Sequence, residues 1–173
     1  MKIIGISGKA QNGKDESARI LKTNLEHNGK KILLIHYADY LKYIAKTYYG
    51  WNEVKDEKGR TLLQNIGEIA RKKDVDYWVK TVYNFIDIFG SDFDYIIIPD
   101  CRHFNEYQYL ISKGLDVTSL RINRIGFVNS LTQEQKNHIS ETALDNYEFD
   151  IVLNVKEGIE ELIKAIDDLS EKL

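Results

Sequence analysis

The N-terminal segment KIIGISGKAQNGKDESARIL, residues 2–21, carries the strongest structural signal in the sequence. An apolar run at residues 3–6 leads to Gly8 and then to Gly13 and Lys14, which together keep the G-x-x-x-x-G-K spacing of a Walker A sequence. The run predicts a buried strand, and the residues after Gly13 predict a helix, so backbone N–H groups and a helix N-terminus converge on one point. We therefore interpret the stretch as a loop that binds the phosphates of a nucleoside triphosphate rather than as a plain glycine-rich turn.

Side chains of this loop are expected to contact the phosphates and their metal ion. Lys14 would bring a positive charge to the β- and γ-phosphates. Asp15 stands where Ser or Thr normally gives magnesium a hydroxyl group. The predicted nucleotide-binding residues here are Gly8, Lys9, Asn12, Gly13, Lys14, Asp15, Glu16 and Ser17.

The bulk properties of the chain favour one globular domain. The 173 residues, 43% of them hydrophobic, suffice for one substantial core, so we expect a single domain over residues 1–173. A net charge of -3 gives no general attraction to nucleic acid or to an anionic membrane. Cys101 is the single cysteine, which excludes an intrachain disulfide and fits a cytoplasmic protein. The apolar run near the N-terminus leads directly into the loop, unlike a cleavable or membrane-spanning segment.

Short apolar runs alternate with helical spacing along the rest of the chain, the pattern of parallel strands covered on both faces. This alternation predicts an α/β fold, a P-loop NTPase three-layer sandwich with a five-stranded parallel sheet and ligands at the strand C-termini. The segment at residues 51–59 is polar and is predicted to form a surface loop. Strands are predicted at residues 1–7, 31–36, 95–98, 115–122 and 149–153, and helices at 14–28, 38–49, 60–72, 76–89, 105–112 and 157–169.

A long polar segment at residues 126–148 has little periodicity and exceeds an ordinary connection, so we expect a mobile lid over residues 124–148. Arg121 and Arg124 stand just before the polar segment. Their guanidinium groups could neutralise charge on a moving phosphoryl group when the lid closes, or they could be solvated strand-end residues.

Asp100 follows the third predicted strand after Pro99, the place of a Walker B acid that holds a metal ion. The alternative is an aspartate that starts a turn or caps the next helix. Arg102, two residues later, would lie at the same end of the sheet, where a guanidinium group can clamp a phosphate through two parallel hydrogen bonds.

Several segments taken in order resemble the phage and bacterial deoxynucleoside monophosphate kinase family over nearly the whole chain. In that family a glycine-lysine-aspartate loop is usual, which Asp15 matches. The resemblance implies a P-loop kinase fold in which ATP, with Mg²⁺, donates its γ-phosphate to a deoxynucleotide. The chain departs from the family at Glu16, where Thr is usual, at Tyr40 for Pro, and at His103 and Phe104 for Phe-Pro. The segments are GKAQNGKDES, HYADYLKYIAKTYYGW, GRTLLQNIGEIARKKDVDYWV, IIIPDCRHFNE, INR and HISETALDNYEFDIVLN.

The resemblance places the acceptor monophosphate near Asp39 and Lys42, which follow the second strand. Asp39 could instead cap its helix, and Lys42 could be a solvated residue. Arg60 and Gln64, four apart, would share a helix face, with the arginine for the acceptor phosphate and the amide for a base edge.

Three further residues have two interpretations each. Arg71 binds phosphate or favours the C-terminus of its helix through the macrodipole. Trp78 stacks on a base or fills the core. Asn154 approaches the donor adenine or serves a turn.

Three functions therefore compete. The leading one is an Mg²⁺-dependent (deoxy)nucleoside monophosphate kinase, with Lys14, Arg102, Arg121 and Arg124 as catalytic residues and no general base. The second is a phosphomevalonate kinase-like enzyme, whose animal form has a similar glycine-lysine-aspartate loop. The third is a nucleotide-binding regulator without catalysis, in which Glu16 adds a negative charge beside the triphosphate. The assembly would be a monomer or a homodimer.

Overall fold

The protein folds around one parallel sheet, seen in a computed structural model that describes residues 1–156 and 158–173. The strand order is β2-β3-β1-β4-β5, and all the pairings are parallel. This confirms the predicted five-stranded sheet and makes the strand that precedes the phosphate loop the central one. The strands are β1 Lys2–Ser7, β2 Ile32–Leu34, β3 Tyr95–Ile98, β4 Val117–Arg124 and β5 Ile151–Val155.

Helices connect these strands and cover both faces of the sheet. The predicted lid contains two short helices, which the sequence pattern did not indicate. The closing helix was predicted to begin at residue 157, which lies outside the described residues. The helices are α1 Lys14–His27, α2 Ala38–Tyr49, α3 Glu57–Lys73, α4 Tyr77–Phe89, α5 Phe104–Ser112, α6 Gln133–Asn137, α7 Ile139–Thr142 and α8 Ile159–Ser170.

One predicted helix start and the predicted exposure of one residue are wrong, each for an identifiable reason. The helix α3 begins earlier than residue 60 because the Asp56 side chain accepts the Gly59 N–H at 2.7 Å and caps it. Trp51, expected in a surface loop, is buried, and its ring N–H donates to the Val54 carbonyl at 3.0 Å.

The strands β4 and β5 end later than predicted. Their ladder continues to the pair Arg124 and Val155. Backbone pairing does not require apolar side chains, so a rule that ends a strand at the last apolar residue places the end too early.

Alternating strand residues fill two separate cores, which gives the sandwich its three layers. On one face, Ile4 and Ile6 pack with α1 and α8 through residues such as Leu21 and Ile166. On the other face, Ile3 packs with α4 and α5. A third cluster joins α2, α3 and α4 and includes the buried Trp51 and Trp78. The helix α4 therefore packs against both the sheet and the pair formed by α2 and α3.

The C-terminal ends of β1, β2 and β3 lie side by side and carry the loops that build the site. Within the described ranges, no helix has both the length and the apolar character needed to cross a membrane.

Candidate active site

The phosphate loop joins β1 to α1 in a conformation that depends on its glycines. Gly8 has a φ of 152°, and a Cβ there would lie 2.5 Å from the Ile122 carbonyl oxygen. Gly13 has a φ of 86° and precedes the first residue of α1. Both positions therefore require glycine, as the Walker A spacing predicts.

Lys14 is folded back onto this loop. Its Nζ donates to the carbonyl oxygens of Gly8 and Lys9 at 2.8 and 2.9 Å, and the residue is 8% exposed. Burial, followed by the nearby Arg102 guanidinium, lowers the pKa of Lys14 from 10.5 to about 8. An anion bound beside Lys14 would favour its charged form.

The other loop side chains point in different directions. The Asn12 amide donates to the Ile122 carbonyl at 3.4 Å, and the buried Ser17 hydroxyl donates to the Gly13 carbonyl at 2.9 Å. Glu16 pairs with Arg19 on the outer surface of α1. The negative charge of Glu16 is thus directed toward a cation on its own helix.

Asp100 joins the end of β3 to the start of α2. Its two carboxylate oxygens accept the N–H groups of Tyr37 and Ala38 at 3.0 and 2.9 Å. Asp100 therefore caps α2, which precedes it in the chain. It does not cap α5, the helix that follows it and that the sequence alternative names. Asp100 and Asp15 also border a cavity next to the phosphate loop.

Glu106 organises the loop between Asp100 and α5. Its Oε2 accepts the N–H groups of Arg102 and His103 at 2.5 and 2.9 Å, and its Oε1 lies 3.6 Å from Nη2 of Arg71. Burial raises the pKa of this carboxyl group from 4.5 to about 7. The only sequence signal for Glu106 is an acid at the third position of a helix, which predicts a cap and not a link to a distant arginine.

The lid connects the phosphate loop with α3. Oε2 of Glu141, on α7, accepts the Ala10 N–H at 2.9 Å, and Oε1 pairs with Arg102. At the other side, Nε2 of His138 lies 3.0 Å from a Glu68 oxygen on α3. Whether the lid moves stays a prediction.

One cavity of about 440 Å³ opens between these elements. The phosphate loop and the loop after β3 form one end, α2, α3 and α4 form the wall, and the lid closes another side. The predicted site residues that border it are Lys14, Asp15, Lys42, Arg60, Gln64, Arg71, Trp78, Asp100 and Arg102. Lys55, His36, Gln135, His138 and Glu141 also border it and were not among the predicted site residues.

Two acceptor candidates have structural roles in the described conformation. Asp39 is exposed, accepts the His36 N–H at 3.2 Å, and is not among the residues that border the cavity. Trp78 is 3% exposed and donates its ring N–H to the Gly67 carbonyl at 3.1 Å, so it belongs to the core while forming part of the cavity wall.

Arg121, Arg124 and Asn154 are not brought together. Arg121 donates to the Leu144 carbonyl at 3.1 Å, close to the phosphate loop. Arg124 lies on the opposite face of β4, with its guanidinium carbon 4.3 Å from the centre of the Phe127 ring. Asn154 is exposed and accepts from the Asn123 amide at 3.1 Å. In this conformation neither Arg124 nor Asn154 borders the 440 Å³ cavity.

Among the residues that the structure describes, no three or more His, Cys, Asp or Glu side chains are grouped to hold a metal ion. Three carboxylates that border the cavity, those of Glu141, Asp15 and Asp100, act on the charge of Lys14, and the last two are the predicted metal ligands.

The fold is similar to that of a solved shikimate kinase from Aquifex aeolicus. The TM-score is 0.52 at 15% sequence identity, over 98% of this chain and 96% of that chain. At this identity the similarity concerns the fold alone, which is that of P-loop kinases.

The sequence is similar to two curated phage proteins named deoxynucleotide monophosphate kinase. The one from Escherichia phage RB69 is 33% identical over 113 residues, which are 64% of this chain and 43% of the relative. The one from Enterobacteria phage T4 is 30% identical over 119 residues, which are 66% of this chain and 46% of the relative. The matches thus span less than half the length of these relatives. A family model described as deoxynucleotide monophosphate kinase matches residues 38–166. By that match, the chain belongs to the deoxynucleotide monophosphate kinase family.

Proposed function

We propose that the protein transfers the γ-phosphoryl group of ATP to a (deoxy)nucleoside monophosphate. An oxygen of the acceptor phosphate bonds to the γ-phosphorus, the bond between that phosphorus and the bridging oxygen breaks, and ADP leaves with a nucleoside diphosphate as the second product. The family membership and the name of the phage relatives support a nucleotide acceptor.

The observation that carries the proposal is one cavity that extends from the phosphate loop to α2, α3 and α4 and is bordered by several cationic side chains. Its volume lies in the range of small-molecule sites. The net charge of the chain is negative, so the attraction of a polyanion must come from this local concentration of positive side chains. The cations that border the cavity are Lys14, Lys42, Lys55, Arg60, Arg71 and Arg102.

At the donor end, the phosphate loop would bind the triphosphate through backbone N–H groups and Lys14. Asp15 and Asp100 offer the carboxylate oxygens that Mg²⁺ takes together with substrate phosphates. A carboxylate has about four lone-pair sites, so Asp100 can cap α2 and still offer a ligand. Bound Mg²⁺ would supply charge neutralisation on the phosphates.

At the acceptor end, Arg60 and Arg71 would bind the monophosphate, and Gln64 would meet a base edge. Arg60 is already oriented, because its Nε donates to the Lys55 carbonyl at 2.9 Å. Nη2 of Arg71 lies 3.6 Å from the buried Glu106 carboxylate, which therefore holds the guanidinium group in place. Catalysis would rest on positioning and charge neutralisation, since a monophosphate oxygen is already anionic at neutral pH.

The position of Glu16 argues against the non-catalytic alternative. That alternative rests on a negative charge beside the triphosphate, but Glu16 is paired with Arg19 on the outer face of α1. The departure from the family at this residue therefore gives no physical reason for lost activity.

A coupled assay of ATP consumption tests the proposal, with nucleoside and deoxynucleoside monophosphates as acceptors and phosphomevalonate as a control acceptor. Transfer to at least one of them is expected, and Lys14→Ala should abolish it. Lys164→Ala, which removes an exposed lysine from α8, is the matched control and should keep the wild-type rate. Transfer to phosphomevalonate alone would favour the second enzyme, and ATP binding without transfer to any acceptor would favour the regulator.

A further inference from the structure

The lid places a carboxylate inside the phosphate loop. The Glu141 side chain is 6% exposed, accepts the Ala10 N–H at 2.9 Å and pairs with the Arg102 guanidinium group. The Lys9 ammonium group donates to the Glu141 carbonyl at 2.6 Å, and Arg102 donates to the Ser140 carbonyl at 3.1 Å. The segment around Glu141 is thus held to the loop through both its side chain and its backbone.

The partners of this carboxylate are donors of the kind that bind phosphate oxygens. Backbone N–H groups before a helix N-terminus and arginine guanidinium groups are the usual ligands of a phosphate. A carboxylate that takes both kinds of donor satisfies the site as an anionic ligand would. A nucleotide phosphate and Glu141 cannot share the Ala10 N–H and Arg102, since two anions at one position repel.

We propose that Ala10 and Arg102 form a subsite for a donor phosphate, and that Glu141 occupies this subsite until the nucleotide displaces it. The inference rests on the proposed function and adds an internal competitor to it. ATP would take over the Ala10 N–H and Arg102, and α7 would move away from the loop.

This displacement would also change the acceptor side of the cavity. Gln135 and His138 border the cavity and lie on the same short segment as Glu141. Movement of Glu141 would therefore shift other residues that border the cavity. Donor binding and the shape of the acceptor site would be coupled through one lid.

A purely structural role for Glu141 predicts a different result. If Glu141 only neutralises the partly buried Arg102, its removal would lower stability and would leave ATP affinity unchanged or weaker. If it competes with the phosphate, its removal should tighten ATP binding even when stability falls.

The decisive measurement is the affinity of a non-hydrolysable ATP analogue with Mg²⁺, by titration calorimetry, for the wild type and Glu141→Gln. We expect the dissociation constant of Glu141→Gln to be lower on the order of tenfold, which corresponds to about 1.4 kcal/mol. Glu134→Gln, an exposed acid on α6 of the same lid, is the control and should bind as the wild type does. Equal or weaker binding by a folded Glu141→Gln protein would overturn the proposal.

Hydrogen exchange in the wild type gives a test that does not depend on a variant. The ATP analogue alone should speed exchange at residues 138–145, because α7 leaves the loop. Slower or unchanged exchange there, with the analogue bound, would overturn the proposal. If the wild type does not bind the analogue at all, the proposed function fails. Binding that Glu141→Gln does not improve removes this inference alone.

Discussion

Lys14 combines a charge that the proposed function requires with a buried environment that disfavours this charge. Burial and Arg102 lower its pKa to about 8, so a fraction of the side chain is neutral in mildly alkaline solution. A triphosphate beside it favours the ammonium form and raises the pKa again. We therefore expect ATP binding to take up protons at a pH just above this pKa, and ATP affinity to fall as the pH rises through it.

Calorimetry in buffers with different ionisation enthalpies measures this uptake directly. Lys14→Ala, if it retains weak binding, should show less proton uptake than the wild type. Equal uptake by the two proteins would assign the titration to another group.

The glycine positions of the phosphate loop could be predicted from sequence because both need a backbone conformation that glycine adopts most readily, while the binding roles of the loop residues stay a prediction. Gly8 and Gly13 are fixed by local conformation, and Lys14 follows from the spacing. Glu141 lies in a segment on which the family resemblance rests, but the sequence predicts no role for it. Its partner Ala10 is 131 positions away, and no local pattern encodes that contact.

At the scale of the element, Asp100 connects β3 with α2. An asparagine keeps one acceptor oxygen, so Asp100→Asn should lose part of the cap, about 1 kcal/mol of unfolding free energy or less. The Mg²⁺ concentration needed for half-maximal activity should rise severalfold, because a neutral amide is a poorer ligand.

Thermal melting and a Mg²⁺ titration separate the two roles of Asp100. Asp168→Asn on the exposed face of α8 should change neither. A large loss of stability with an unchanged titration would leave Asp100 as a helix cap alone.

The start of α5 carries a second prediction through Glu106. Its folded-state pKa of about 7 lies above the ordinary 4.5, so the folded protein holds a proton that the unfolded chain releases. This contribution to stability is complete below 4.5 and is lost as the pH rises through about 7. The unfolding free energy of Glu106→Gln should therefore fall less than that of the wild type across this interval.

Urea unfolding at several pH values measures this difference. Glu148→Gln, an exposed acid, should follow the wild type. Parallel pH profiles for Glu106→Gln and the wild type would show that the carboxyl group is already ionised throughout the interval.

The spacing of apolar residues predicts most of the helices and strands. It misplaces a boundary where a side-chain cap or backbone pairing sets the end of the element. The Asp56 cap starts α3 early, and the ladder with β5 extends β4 through polar Asn123 and Arg124. The short helices α6 and α7 offer fewer turns than a periodic pattern needs for detection.

At the scale of the whole molecule, alternation of strands and helices predicted the parallel sheet but not its order. Strand order depends on which crossovers place β1 between β3 and β4, and the apolar runs are too similar to decide this. The single domain, the cytoplasmic location and the monomeric or homodimeric state stay predictions. Light scattering of the purified protein would decide between the two assemblies.

The lid brings the two ends of the site together, since it contacts the phosphate loop through Glu141 and α3 through His138. A bisubstrate analogue, in which adenosine and a deoxynucleoside are joined by a phosphate chain, fills both ends at once. With both subsites occupied the lid should close on the analogue, and exchange over residues 126–148 should slow. The donor analogue alone should instead loosen residues 138–145, so the two ligands are expected to act in opposite directions on one segment. Peptides from β1 serve as the control, because that strand is buried at the centre of the sheet and takes no part in the proposed lid movement. Unchanged exchange over residues 126–148 with the bisubstrate analogue bound would remove the lid from the mechanism.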